Sequence, residues 1–511
     1  MTVTAEMKSS RRLAPGRAGR RRRSLLSIVV GLAATLSGEA VGQREPDRAP
    51  NIVLIVVDDL GYGELGSYGG REIPTPHIDT LARRGVRFTN GYVTASFCAP
   101  ARAALMTGRY QSRYGFERVP IGAENLQPGV GVPIGERMLP GVLRDHGYAT
   151  ALVGKWHLGA TAPFHPLRRG FDEFFGFLLE GHYYVPHPWN GTTTWLRRTA
   201  LPEGGTGRWT SANGRIIWST HLGHNEPDYN ADNPLLRDSQ PVTETENLTD
   251  AFTREAIDFV QRRREQPFFL YLAYSAVHSP MQADDRWLAR FSHITDIHRR
   301  IFAAMLAQLD DNIGRLLATL ERNGVAENTL IVFLSDNGGA TAELTSSNHP
   351  LRGGKGDLWE GGVRVPFLIS WPQRLPRDAT FDAPVSALDV FDTALAASGI
   401  ATDSLPSRDG VDLLPYLTGQ RSGDPHEVLY WRMPMLGHEQ AARGTIPAAA
   451  LRKGPWKIVR PAPTRKNASR WHLFNLDRDI AEAHDLAQTE PARLAELRAV
   501  WEEIDRQMPP P

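Results

Sequence analysis

Hard oxygen side chains occur as two adjacent pairs, Asp58-Asp59 in "IVVDDLGYGE" and Asp336-Asn337 in "LSDNGGA". Neighbouring carboxylates repel one another unless a cation lies between them, and an all-oxygen set suits Ca²⁺ or Mg²⁺ better than zinc. Asp-Asp-Leu-Gly and Asp-Asn-Gly-Gly are also ordinary turn compositions, so either pair alone reads as a loop too. Two such pairs, each directly after a buried-looking strand, favour a shared metal. A complementary set of cations is Lys155, His157 and His278, which follow similar runs, and Arg352 and Lys355, which lie just before the run at Val365. Cations gathered in one crevice imply an anionic substrate, and a histidine among them moves protons near neutral pH. Taken singly, each also reads as a solvated cation or a satisfied histidine.

The one cysteine of the chain, Cys98, lies in "SFCAPARAALMTGRY". A single thiol makes no intrachain disulfide, which leaves a buried filler, a stray surface thiol or a reacting group. Pro100 keeps the preceding residue extended, and the following residues favour helix, so Cys98 sits at a helix N-terminus where negative charge is favoured. A thiolate would suit that position. It would not suit a hard-oxygen metal site, so Cys98 is not expected to act as a thiol.

These groups need a scaffold that gathers them. "NIVLIVV" (51–57), "TALVG" (150–154), "FFLYLAY" (268–274), "TLIVFLS" (329–335) and "VPFLISW" (365–371) are continuous apolar runs, as strands covered on both faces require. They alternate with helical patterns, the mark of an α/β sheet. Ile301, Met305, Leu309, Ile313, Leu316 and Leu320 share one helical face, and Gly324 is a stop signal. In open α/β sheets ligands sit beyond the carboxyl ends of strands, which is where the hard oxygens and several of the cations fall. Tyr183 to Asn233 has little periodicity and reads as long ordered loops. After about Asp409, "AALRKGPWKIVR" and "RWHLFNLD" read as antiparallel strands, followed by a helix near Ala492 to Met508. The expected organisation is a leader over 1–42, a catalytic α/β domain over 50–409 and an α+β subdomain over 410–511.

Lys plus Arg number 58 against 57 Asp plus Glu, so no global charge points to nucleic acid. The N-terminal "RRLAPGRAGRRRRS", then "LLSIVVGLAATL" and small residues, has the order of an export signal; a disordered basic tail is the alternative. The apolar run is short for a membrane span, so the mature chain is expected to be exported without stable membrane insertion.

"CAPARAALMTGR" resembles the first signature of the type I sulfatases, in which a Cys-x-Pro-x-Arg core is converted to formylglycine. "GYATALVGKWHLG", Gly147 to Gly159, is similar to their second signature over its whole length. "IVVDDLGYGE", "AVHSP", "SDNGG" and "GGKGDLWEGGVRVP" resemble further blocks, so the likeness runs from about Asn51 to the C-terminus. Ala101 departs from it, since many members carry Ser there.

The resemblance implies an alkaline-phosphatase-like α/β sandwich, with a large mixed central sheet flanked by helices and a smaller C-terminal antiparallel sheet subdomain. It implies hydrolysis of sulfate monoesters. Cys98 would become formylglycine through a formylglycine-generating enzyme. The hydrated gem-diol would share Ca²⁺, or Mg²⁺, with Asp58, Asp59, Asp336 and Asn337. Lys155 and Lys355 would hold the sulfate oxygens, and Arg102 would steady the formylglycine oxygens. His278, with Lys355, would protonate the leaving alcohol, giving a sulfated enzyme. His157 would then deprotonate the second hydroxyl so that sulfate is expelled.

"RGFDEFFGFLLEGHYY" is similar to the arylsulfatase A and N-acetylgalactosamine-6-sulfatase branch, which makes His182, with Arg352, a candidate for binding substrate. The aromatic segment that follows offers rings for stacking on sugars, and an extracellular sulfated polysaccharide or its oligosaccharides is the favoured substrate. Alternatives are a phosphoester or phosphonate monoester hydrolase, a non-catalytic carbohydrate-binding protein, and a thiol enzyme.

Overall fold

The apolar runs become strands because each feeds two cores at once. In the computed structural model, which describes residues 48–434, 447–463 and 469–510, the strand Asn51–Val57 sends Val53, Ile55 and Val57 to one hydrophobic cluster. Ile52, Leu54 and Val56 enter another on the opposite face. Successive side chains point to opposite sides of a strand, so a strand covered on both sides must be apolar throughout. Helices Pro76–Arg83, Leu248–Arg263 and Ile297–Arg322 supply the first cluster. Helices Cys98–Thr107, Leu139–Asp145 and Asp389–Ala397 supply the second. The six apolar residues expected on one face of Ile297–Arg322 are all buried, and Gly324 follows its end at φ 70°.

Asn51–Val57 lies inside a mixed sheet of ten strands. It pairs in parallel with Phe268–Ala273 on one side and Thr329–Ser335 on the other. Beyond Phe268–Ala273 come Ala149–Lys155 and Glu173–Phe177, also parallel. Beyond Thr329–Ser335 the sheet turns antiparallel through Phe367–Ser370. Five parallel neighbours therefore end along one edge, and the chemistry-bearing residues follow four of those ends. Backbone bonds hold the ends in register. The Asp336 amide donates to the Val57 carbonyl at 3.1 Å, and the Asp58 amide donates to Ala276 at 3.1 Å.

The C-terminal strands Val428–Met433, Ala448–Lys453, Trp456–Arg460 and His472–Asn475 form an antiparallel sheet, with helix Pro491–Asp505 against it. One face packs Leu429 and Trp431 on Tyr92, Leu358 and Trp359. The other packs Tyr430 and Ile458 on Trp501 and on Ala104 of the Cys98 helix. The described residues form one compact unit.

Tyr183 to Asn233 departs from the loop expectation. It contains strands Thr192–Arg197, Arg208–Thr210 and Ile216–Ser219, which join Met281–Asp284 in a second small sheet. The partner strand lies far along the chain, so local periodicity carries no trace of it. The leader expected over 1–42 lies outside the described residues. Among the described residues no helix is long and apolar enough to cross a membrane.

Candidate active site

Asp58, Asp59 and Asp336 converge where their strands end, with carboxylate oxygens within 4.8 Å of one another. Asp59 has φ 62°, a left-handed turn just past the strand. Asn337 donates from Nδ2 to Asp59 Oδ1 at 2.7 Å and to the Gly338 carbonyl at 2.9 Å. Its Oδ1 is buried and has no hydrogen-bond partner. A stranded acceptor beside three converging carboxylates is the arrangement that a hard cation satisfies, and the residues fit Ca²⁺ or Mg²⁺. Gly338 is required here: a Cβ on it would lie 1.8 Å from the Gly361 carbonyl oxygen.

Cys98 opens the helix Cys98–Thr107 and is buried, with Sγ 3.5 Å from Asp58 Oδ1. Burial, and then the Asp58 charge, push its thiol well above the usual range. A thiolate is therefore disfavoured here.

Cations interleave with the acids. Lys155 Nζ lies 2.5 Å from Asp58 Oδ2, Arg102 Nε lies 2.8 Å from Asp336 Oδ2, and Lys355 Nζ lies 2.8 Å from Asp59 Oδ2. Burial works against every one of these charges, and the pairing decides the outcome. Burial alone would raise Asp58, but Lys155 first, with Arg102 and Lys355, holds it far below the carboxylate range. Asp336 is pushed up to about 6 by burial and by Asp58. Lys355 stays protonated because Asp59, Glu343 and Asp58 together outweigh its burial. Three cationic side chains thus balance three carboxylates. A bound dication would leave net positive charge for an anion.

The two histidines are fixed differently. His157 Nε2 is 3.0 Å from the Pro120 carbonyl oxygen, so Nε2 carries the proton. Its Nδ1 is buried without a partner, and burial, then Lys155, keep the ring neutral. His278 donates from Nδ1 to the Ser279 carbonyl at 2.6 Å and places Nε2 3.8 Å from Asp59 Oδ2. Burial and then Lys355 lower it to about 4.

Cys98, His157, His278 and Lys355 line one cavity of about 240 Å³. Sequence reasoning missed Glu180, Arg197, His224, Tyr229 and Glu343, which line it too. Arg197 lies 2.6 Å from Glu226 and 2.9 Å from Glu343, and it donates to His224 Nε2 at 2.9 Å. Glu343 follows "SDNGG" closely, a proximity that could have flagged it; Arg197 had no such signal. His182 and Arg352 are not brought to this cavity. His182 stacks on Phe177, 5.4 Å between ring centroids, with Nδ1 2.7 Å from the Tyr183 carbonyl oxygen. Arg352 lies over Trp359 and donates to the Glu482 carbonyl at 2.8 Å.

The family model described as Sulfatase matches residues 50–400. Human N-acetylgalactosamine-6-sulfatase is 34% identical over 412 residues, 77% of this chain and 70% of the relative. Mouse steryl-sulfatase is 34% identical over 457 residues, 80% of this chain and 71% of the relative. A crystal structure of Ps i-CgsB in complex with k-i-k-neocarrahexaose superimposes with a TM-score of 0.76 at 35% identity, covering 90% of this chain and 94% of that one.

Proposed function

Because this chain belongs to the sulfatase family and is a sulfuric ester hydrolase, we propose that it removes sulfate from a carbohydrate outside the cytoplasm, using a formylglycine made from Cys98. The observation that carries this reading is the setting of Cys98, a thiol disfavoured as thiolate and placed 3.5 Å from a hard-oxygen cluster ringed by cations. Such surroundings suit an oxygen nucleophile and an anionic substrate, and they argue against a thiol enzyme.

Asp58, Asp59, Asp336 and Asn337 would hold Ca²⁺ or Mg²⁺. A hydrated formylglycine at residue 98 would supply an oxygen nucleophile, and the cation would lower its pKa. The rest falls to side chains present in the cavity. Lys155 and Lys355 neutralise the sulfate oxygens as charge builds at sulfur. Arg102 Nη2 makes no hydrogen bond and lies 3.4 Å from Asp58 Oδ2, so it can turn to hold an oxygen on the residue-98 side chain. His278 is neutral near pH 7 on its own, so its acid role requires the anionic substrate to draw a proton onto Nε2. His157 presents the Nδ1 lone pair as base.

The neighbours supply the substrate class. One relative is named for N-acetylgalactosamine 6-sulfate, and one structure holds a neocarrahexaose. Arg197, Glu343 and His224 place hydrogen-bonding groups for sugar hydroxyls on the cavity wall. The basic, apolar and small-residue order of the N-terminus supports export.

The test is sulfate release by protein matured with a formylglycine-generating enzyme. The panel holds neocarrahexaoses, N-acetylgalactosamine 6-sulfate, a steroid sulfate, an aryl sulfate and matched phosphate esters. Release from the carbohydrates, lost in Cys98→Ala, is the expected result. Faster turnover of the phosphate esters, or of the steroid sulfate, would overturn the assignment.

A further inference from the structure

A second cleft of about 640 Å³ opens beside the Cys98 cavity, lined by Tyr183, Trp189, Arg198, Asp228 and Asn230 among others. The two spaces share a wall. Pro227 lines both, and Glu226 of the outer cleft pairs with Arg197 of the inner cavity. Anything extending from a group held at Cys98 over that wall enters the outer cleft.

The lining has the chemistry of a sugar platform. The Tyr183 and Trp189 rings lie 5.2 Å apart at 35°, both half-buried with surface left to the cleft. Trp189 adopts φ 59°, a left-handed conformation that costs a bulky residue energy and that the surrounding chain must impose. Among the described residues the Asp228 carboxylate has no hydrogen bond or ion pair. It is available to sugar hydroxyls, and Asn230, whose Oδ1 accepts from the Tyr183 amide at 3.2 Å, lines the same cleft. Aromatic faces bounded by hydrogen-bonding groups bind the apolar face of a pyranose while pairing its rim.

We propose that this cleft binds the sugar unit next to the sulfated one, so that the preferred substrate is an oligosaccharide and not a free monosaccharide. The proposal rests on the carbohydrate sulfatase reading above and adds a site to it. Trp189 and Asp228 are its specificity residues, contributing contacts that a small sulfate ester cannot make.

The experiment uses the full chain. Binding of a sulfated neocarrahexaose and of a chondroitin 6-sulfate hexasaccharide to the Cys98→Ala protein is measured by calorimetry, with and without Trp189→Ala. In matured enzyme, kcat/KM is compared between the better hexasaccharide and an aryl sulfate, for the parent, Trp189→Ala and Asp228→Asn. The expected result is about a tenfold loss with the hexasaccharide, at least fivefold more than with the aryl sulfate, and a matching loss of binding. Equal losses on both substrates, loss on neither, or no binding of either hexasaccharide to the Cys98→Ala protein would overturn the proposal. Binding that depends on Trp189, with no sulfate release by matured enzyme, would sink the hydrolase reading and leave the cleft assignment standing.

Discussion

His157 Nε2 lies 3.0 Å from the Pro120 carbonyl oxygen, and that contact leaves Nδ1 as the free lone pair of a neutral ring. The carbonyl is itself held. Asn125 Nδ2 donates to it at 3.1 Å and to Glu180 Oε2 at 2.9 Å, while Glu180 Oε1 accepts from the Gly122 amide at 2.9 Å. Asn125 and Glu180 therefore set the tautomer of a base they do not touch.

Asn125→Ala is predicted to lower kcat about tenfold with little change in KM, because it loosens the base and not the substrate. Steady-state kinetics on the best carbohydrate decides this. A rise in KM at unchanged kcat would mean that the 120–126 loop serves binding instead.

Cys98→Ala is predicted to lower kcat by about 10⁴-fold or more, as removal of a nucleophile does. In matured protein, mass spectrometry of the residue-98 peptide is expected to show formylglycine. Iodoacetamide is expected to leave activity intact, because the thiol is gone. Activity destroyed by alkylation of Cys98 would restore the thiol enzyme.

Ca²⁺ or Mg²⁺ is predicted to raise the melting temperature of the parent by a few degrees, saturably. A ligand at 100 times its Kd adds about 2.7 kcal/mol to folding stability. Asn337→Ala removes the buried acceptor and is predicted to weaken the response at least tenfold in cation concentration. A melting temperature that neither cation nor chelator moves would count against the metal site.

Lys457 is buried 2.9 Å from Glu360 Oε1 and 3.0 Å from Glu482 Oε1, joining the C-terminal sheet to the segment after Lys355. Burial, with Glu360 adding to it, pushes Glu482 up to about 7. Burial of Glu360 is outweighed by Lys457 and Arg364, which hold it down to about 2. Between pH 4.5 and about 7 the folded chain keeps a proton on Glu482 that the unfolded chain releases, so this contribution falls as pH rises. Glu360 acts oppositely: its contribution is full above 4.5 and is lost as pH falls towards about 2. The melting temperature of the parent minus that of Glu482→Gln is therefore predicted to shrink from pH 5 to pH 8. A constant difference would refute the shift. Lys457→Met, which leaves Glu482 without a cation and Glu360 with Arg364, is predicted to cost about 3–5 kcal/mol.

What the sequence determined by itself lies close to strands. A strand covered on both faces must be apolar throughout, so Asn51–Val57 and Thr329–Ser335 were legible, and so were the residues just past their ends. Asp58, Asp59, Asp336 and Asn337 follow those ends within two residues, Lys155 closes Ala149–Lys155 with His157 two residues on, and parallel pairing brings the ends to one edge. Tertiary structure alone decided what lies across the cavity. Arg197 comes from a small sheet whose register, Trp195 against Met281, joins distant segments. His182 and Arg352, plausible by position, were drawn instead onto the rings of Phe177 and Trp359. The physical reason is range: hydrophobic alternation and strand ends are written in consecutive residues, whereas the pairing of a charge with its neighbour depends on which distant segment the chain folds beside it.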